Sequence, residues 1–250
     1  MSEQFAVITG AGSGLGRALA TALCARGIAV AGLGRRADAL QDTATLAGEK
    51  FTPIVADVSD PQEVAAAFAH IRAIAPVSIL INNAAVYPHR DILDETGESF
   101  MQTVATNLGG TVACSREALK DMTVAGRGRI INVSSFADLS PLPCSAAYSV
   151  SKGAVTIFSR ALVADLGDRL PNIVVSTWMP GMLNTSMGLA EGLDPAVAAQ
   201  WGAALALWDD PTLNGAVFEM NREILPSRGL KGRIKDVVRF KRRVPRQIAP

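Results

Sequence analysis

Tyr148 and Lys152 stand four positions apart in AAYSVSK (146–152). On a helix, residues i and i+4 share a face, so one turn would hold a phenol and an ammonium side by side. A free phenol ionises near pH 10 and is a poor base at neutral pH. A neighbouring ammonium and the positive end of the helix both favour the phenolate. A downward shift of roughly 2 to 3 pKa units needs about 3 to 4 kcal/mol of differential stabilisation, within reach of a dry pocket. The phenol could then exchange a proton with an alcohol or a carbonyl. Taken alone, the spacing is more often a single turn of an amphipathic helix.

A second stretch able to do chemistry is TGAGSGLG (9–16). Gly10 suits a tight turn, Gly14 an approach of backbone to a pyrophosphate, and Gly16 close packing of helix on strand. The helix that follows offers amide donors and a partial positive charge to phosphates. A purely structural loop is the competing reading. It loses ground because the run sits between a first strand and a first helix.

Both stretches need a scaffold, and the chain supplies one. β-like apolar runs occur at 5–9, 28–33, 51–56, 77–81, 129–134, 172–178 and 215–220, with helix-compatible stretches between them such as 15–26 and 61–75. Strands apolar at nearly every position are covered on both faces. The alternation predicts an α/β fold: one domain, with a doubly wound parallel sheet of about seven strands and helices on both sides. Ser59 and Asp60 can cap the helix that Pro61 opens. With 49% hydrophobic and 19% charged residues the composition is that of a soluble globular protein. A net charge of +1 gives no electrostatic case for nucleic acid or membrane. The uncharged stretch 170–190 is broken by Pro171 and Pro180 and is no membrane span. Cys24, Cys114 and Cys144 are widely spaced, which suits a reducing, cytoplasmic setting and no structural zinc. No metal-ligand spacing and no Ser-His-Asp order is present, so no metal site is expected.

The motifs together resemble the short-chain dehydrogenase/reductase family over about residues 5 to 220, and this implies a Rossmann-type fold. Thr9-Gly10-xxx-Gly14-x-Gly16 is similar to the family's nucleotide-binding turn. Asp57 and Val58 resemble its adenine-contacting pair, and Asn82-Asn83-Ala84-Ala85 its Asn-Asn-Ala-Gly segment. Ala85 replaces a glycine there, which raises the question of a backbone with positive φ. Asn107, Ser135 (thirteen residues before Tyr148), Tyr148 and Lys152 match the catalytic positions, and Pro180, Gly181 and Thr185 the stretch at the nicotinamide end. The resemblance implies that Tyr148 acts as general acid/base on a carbonyl or secondary alcohol. Ser135 would bond the reacting oxygen, Lys152 would also bind the nicotinamide ribose, and Asn107 would help hold a water relay. Cofactor contacts are implied at Gly10, Ser13, Gly14, Leu15, Gly16, Arg35, Asp57, Val58, Asn83, Ala84, Tyr148, Lys152, Pro180, Gly181 and Thr185.

At the end of the second strand an acidic residue would bond both ribose hydroxyls of NAD. This chain has Gly34, Arg35 and Arg36 there, and Asp38 comes too late. Arg35 can pair a 2′-phosphate and stack on adenine, so NADP(H) is preferred and NAD(H) remains possible. Substrate walls are expected from Phe136, Leu139 and Leu142 and from a lid at about 182–210 with Met182, Leu183 and Met187. They favour a medium-sized apolar substrate. His89 could border it. A homodimer or homotetramer is expected, with Val155, Phe158, Leu162 and Leu166 serving core and interface. Rival readings are a catalytically silent nucleotide sensor, or an epimerase or dehydratase of the extended family. Both fit less well with Tyr148 and Lys152 in place and a Gly-xxx-Gly-x-Gly turn. The domain reads as 1–227, followed by a basic tail at 228–250 with nine basic residues and one acid. That tail reads first as solvated, next as docked on an acidic neighbouring surface, and last as a contact for nucleic acid or lipid.

Overall fold

Short apolar runs become strands that bury residues on both faces, as continuous hydrophobic patterning requires. The computed structural model describes residues 4–225 and 244–249. Its strands are β1 (Phe5–Thr9), β2 (Ala29–Gly34), β3 (Phe51–Val55), β4 (Ile79–Asn82), β5 (Gly128–Val133), β6 (Ile173–Met179), β7 (Val217–Glu219) and β8 (Arg222–Ile224). They form one sheet in the order β3-β2-β1-β4-β5-β6-β7-β8. All neighbours are parallel except β7 and β8. Chain order reverses between β1 and β4, the switch point where doubly wound sheets open a crevice at their carboxyl ends.

Alternate strand residues serve the two helical layers. Ala6, Ile8, Ile79, Ile81, Ile131 and Trp178 pack with α1 (Gly14–Ala25), α2 (Ala37–Ala47) and α7 (Pro195–Leu207). Val7, Leu80, Ile130 and Val175 pack with α3 (Pro61–Ile74), α5 (Gly110–Ala125) and α6 (Ala146–Leu166). Between α4 (Gly97–Val104) and α5 lies one π-helical turn, Ala105–Gly109. The Asp60 carboxylate caps α3 at the Gln62 amide (2.7 Å), with Pro61 in the first turn.

Three expectations change. The sheet has eight strands: the chain reverses at Met220, whose φ is +49°, and no glycine or proline announced that hairpin. On α6, Val155, Leu162 and Leu166 are buried and Phe158 packs beside them, so all four belong to the core. Val150 and Ile157 are the apolar residues that face outward. The stretch read as a lid divides in two. Residues 182–194 form the loop, whereas α7 is part of the core; a Cβ at Gly202 would lie 2.6 Å from Leu19. Leu183 is also buried in the core and is removed from the substrate wall.

Of the basic tail, 228–243 lies outside the described residues. Residues 244–249 pack on their own domain. Gln247 bridges Arg222, Ile248 enters the core at 1% exposure, and Arg246 forks onto Glu223 at 2.7 and 2.8 Å. A charge pattern alone could not reveal this, because the anchor is one apolar residue. Ile248→Ala is expected to lower stability by about 2–5 kcal/mol, the usual cost of truncating a buried isoleucine. Thermal unfolding checks it, and an unchanged Tm would mean that the segment is undocked.

Candidate active site

The glycine turn joins β1 to α1 at the carboxyl end of the sheet. Gly10 (φ +69°) and Gly14 (φ +50°) adopt left-handed backbone. A Cβ on Gly10 would lie 2.9 Å from Ala84 Cα, and one on Gly16 2.1 Å from the Gly10 carbonyl oxygen. Side chains are therefore excluded where a dinucleotide's phosphates approach, and the cradle fits that group. Ser13 is exposed at the N-cap of α1, while the Leu15 side chain is in the core, so only its backbone can serve the turn. Arg17, unremarked in the sequence, donates to the Gly12 carbonyl at 2.7 Å and steadies the loop.

Around this turn the strand ends bring in the other residues. Thr9 Oγ1 accepts from the amides of Asn83 and Ala84, both at 3.0 Å, and Asn83 Nδ2 donates to the Thr9 carbonyl. These bonds close the crevice floor between β1 and β4. Ala85 is not among the residues with positive φ, so alanine fits where the family carries glycine. A cavity of about 240 Å³ opens beside the ends of β2 and β3, lined in part by Arg35, Asp57, Ser59 and Val86. Arg35 lies 3.8 Å from the Asp57 carboxylate and is 63% exposed, free to turn to another anion. The Asp57 carboxylate also accepts from the amide and hydroxyl of Ser59. Val58 is buried against Gly110. Pro180 is buried at the end of β6, and Gly181 turns the chain at φ +91°. Thr185 then reaches back to within contact of Gly14.

Ser135, Tyr148 and Lys152 meet where β5 ends and α6 begins. Ser134 points inward, to Lys152 O and Thr156, leaving Ser135 to bear on the Tyr148 phenol, whose pKa it lowers. Lys152 is 3% exposed, lies 6.0 Å from the Tyr148 ring centroid, and donates to the Val133 carbonyl at 2.8 Å. Burial pushes its pKa down to about 8. An ammonium carries three donors, and among the described residues only Val133 takes one. The unused donors suit the hydroxyls of a ribose.

In the chain alone the Tyr148 pKa is raised: burial is the largest cause, Ser135 pulls it partly back, and Tyr87 raises it further. Asn107 is fully buried in the π turn. Its amide accepts from Val86 N (2.8 Å) and donates to Val86 O (3.0 Å) and Ser151 (2.9 Å). The side chain therefore ties the loop after β4 to α6. Tyr87, which the sequence reading passed over, stacks on Tyr148. Its signal was rarity, for the chain has only two tyrosines.

The model of the short chain dehydrogenase family matches residues 4–194. The chain belongs to the short-chain dehydrogenase/reductase family. It is 34% identical over 199 residues to galactitol 2-dehydrogenase (L-tagatose-forming) of Cereibacter sphaeroides, covering 78% of each chain. It is also 34% identical over 193 residues to 2-(R)-hydroxypropyl-CoM dehydrogenase of Xanthobacter autotrophicus, covering 74% of this chain and 76% of that one. A crystal structure from Agrobacterium tumefaciens, assigned as a gluconate dehydrogenase, superposes with a TM-score of 0.80 at 24% identity, over 86% and 93% of the chains. That last likeness speaks for the fold. As a member of this family the short-chain dehydrogenase/reductase described here is an NAD(P)-dependent oxidoreductase of CH–OH and C=O groups. Among the described residues no group of side chains could hold a metal ion, and no helix is long and apolar enough to cross a membrane.

Proposed function

We propose that the enzyme is an NADP(H)-preferring oxidoreductase that interconverts a medium-sized apolar ketone and its secondary alcohol. The observation that carries this reading is the meeting of Ser135, Tyr148 and Lys152 at the carboxyl end of β5. When bound, the nicotinamide supplies or takes up the hydride. In reduction Tyr148 gives its phenolic proton to the carbonyl oxygen; in oxidation it takes the alcohol proton. Ser135 donates to the same oxygen and fixes its position. Lys152 is held by Val133 and offers its remaining donors to the ribose. Asn107 keeps the β4 loop and α6 in register beside the relay it helps to hold. Arg35 pairs the 2′-phosphate, and the exposed apolar side chains Leu139, Leu142 and Met182 support an apolar substrate. A panel of ketones and alcohols assayed with both cofactors tests the assignment: turnover of none of them, with cofactor still bound, overturns it.

Three free cysteines support a cytoplasmic setting, and the proposed assembly is a homotetramer. Support for assembly comes from an apolar surface hollow of about 360 Å³ along α4, the π turn and α5, lined by Met101, Val104, Leu108 and Val112. Light scattering is expected to give about four times the 26.2 kDa chain mass. A monomer at micromolar concentration would contradict it.

A further inference from the structure

The two tyrosines of this chain lie one upon the other. The Tyr87 ring stacks on Tyr148 with centroids 4.4 Å apart and planes 18° from parallel. His89 stacks on Tyr87 at 3.7 Å and 25°. Two rings this close to a third cannot share one of its faces, so Tyr87 is sandwiched. His89 holds a left-handed backbone (φ +47°), a conformation that non-glycine residues keep only where their surroundings impose it. The segment is also pinned from below, because Asn107 clamps both backbone groups of Val86 and bonds Ser151 on the helix that bears Tyr148. Tyr87 is thus held against the phenol from three sides: by the ring behind it, by its own neighbour in the chain, and through Asn107 by α6.

We propose that Tyr87 is a positioning residue: its ring, backed by His89, fixes the ring plane of Tyr148 and hence the direction in which the phenol presents its proton. The inference rests on the reading of Tyr148 as the acid/base. A tyrosine side chain turns about two bonds, and a flat neighbour restricts both at once, which an aliphatic neighbour of similar size does not. Proton transfer tolerates little error, since a misplacement of about 1 Å can cost on the order of 10²-fold in rate. Tyr87 also bears on the phenol electrostatically, raising its pKa.

The test compares wild type with Tyr87→Phe, Tyr87→Leu, Tyr87→Met and Tyr148→Phe. Three readouts are taken: NADPH-dependent reduction of the best ketone of a panel, NADPH dissociation by fluorescence, and phenolate absorbance against pH without substrate. Tyr87→Phe keeps the flat ring and is expected to hold kcat within about three-fold, whereas leucine and methionine lower it about ten-fold or more with NADPH affinity little changed. In every Tyr87 variant Tyr148 is the remaining tyrosine, so the absorbance belongs to it. Its midpoint should lie lower in the leucine protein than in the phenylalanine protein, because water that reaches the phenol relieves the burial that holds its pKa up. Should the leucine protein fail to fold, methionine supplies the same comparison. Equal kcat and equal midpoints across the Tyr87 variants, with Tyr148→Phe inactive, overturn the role of Tyr87 alone. An active Tyr148→Phe protein instead overturns the acid/base reading, and the midpoints still report whether Tyr87 shapes the phenol.

Discussion

Tyr148→Phe is expected to lower turnover about 100-fold or more while the NADPH dissociation constant stays within about two-fold, since acid–base catalysis contributes roughly 10²–10⁴-fold. The ring remains, so its stacking on Tyr87 and its packing at the start of α6 are kept. What disappears is the exchangeable proton. The wild-type pH profile adds a second check. Burial keeps the phenol protonated through neutral pH, so carbonyl reduction finds its acid ready there. Lys152, whose pKa burial brings down to about 8, loses its charge as pH rises through that value. Reduction should therefore decline above about pH 8 if the ammonium is needed to hold the ribose. Alcohol oxidation loses the same ribose contact but gains phenolate as pH rises, so it should fall less steeply than reduction over that range. Retention of more than a tenth of wild-type turnover in Tyr148→Phe would remove the phenol from the mechanism.

Arg35→Asp is expected to reverse the cofactor preference. The guanidinium is 63% exposed at the end of β2, and its 3.8 Å contact with Asp57 is loose enough to yield to a phosphate. Losing one charged hydrogen bond of about 1.5–3 kcal/mol corresponds to roughly ten- to a hundred-fold in kcat/KM for NADP(H). The introduced carboxylate would add repulsion of the 2′-phosphate, and it offers NAD the acceptor that its ribose hydroxyls require. The ratio of kcat/KM for the two cofactors should thus cross unity in the variant. A wild-type enzyme that already favours NAD(H) would refute the role given to Arg35.

What the sequence made legible follows from how each residue acts. The sheet and its layers could be read because strands buried on both faces are apolar throughout, and the glycine turn because its spacing answers to backbone sterics. Tyr148 and Lys152 could be read because a helix converts a spacing of four into a shared face. The tyrosine's pKa could not, since it depends on how deeply the closed fold buries the phenol. The apolar positions of α6 were visible, but periodicity does not say which of them meets its own sheet and which a partner. Ile248 and the β8 hairpin depend on contacts made late in the chain, without a turn signal to mark them. Tyr87 was hidden for the same reason: its partner is 61 positions distant, and only the closed fold brings the two rings together.

The docked C-terminal segment has a consequence for solubility and for the route of assembly. An open sheet ends in two strands whose outer backbone groups invite another chain to add itself. On one side of this sheet that strand is β3, where Pro53 removes a donor, a residue sheets tolerate mainly at their margins. On the other side β8 and the residue before it spend outer groups on their own chain: the Glu223 amide donates to Arg246 O, and the Asn221 carbonyl accepts from the Ile248 amide. Both margins are thus blunted against strand addition and against the runaway stacking that leads to fibres. Any interface between copies of this chain would then have to be built from surfaces other than these two strand edges.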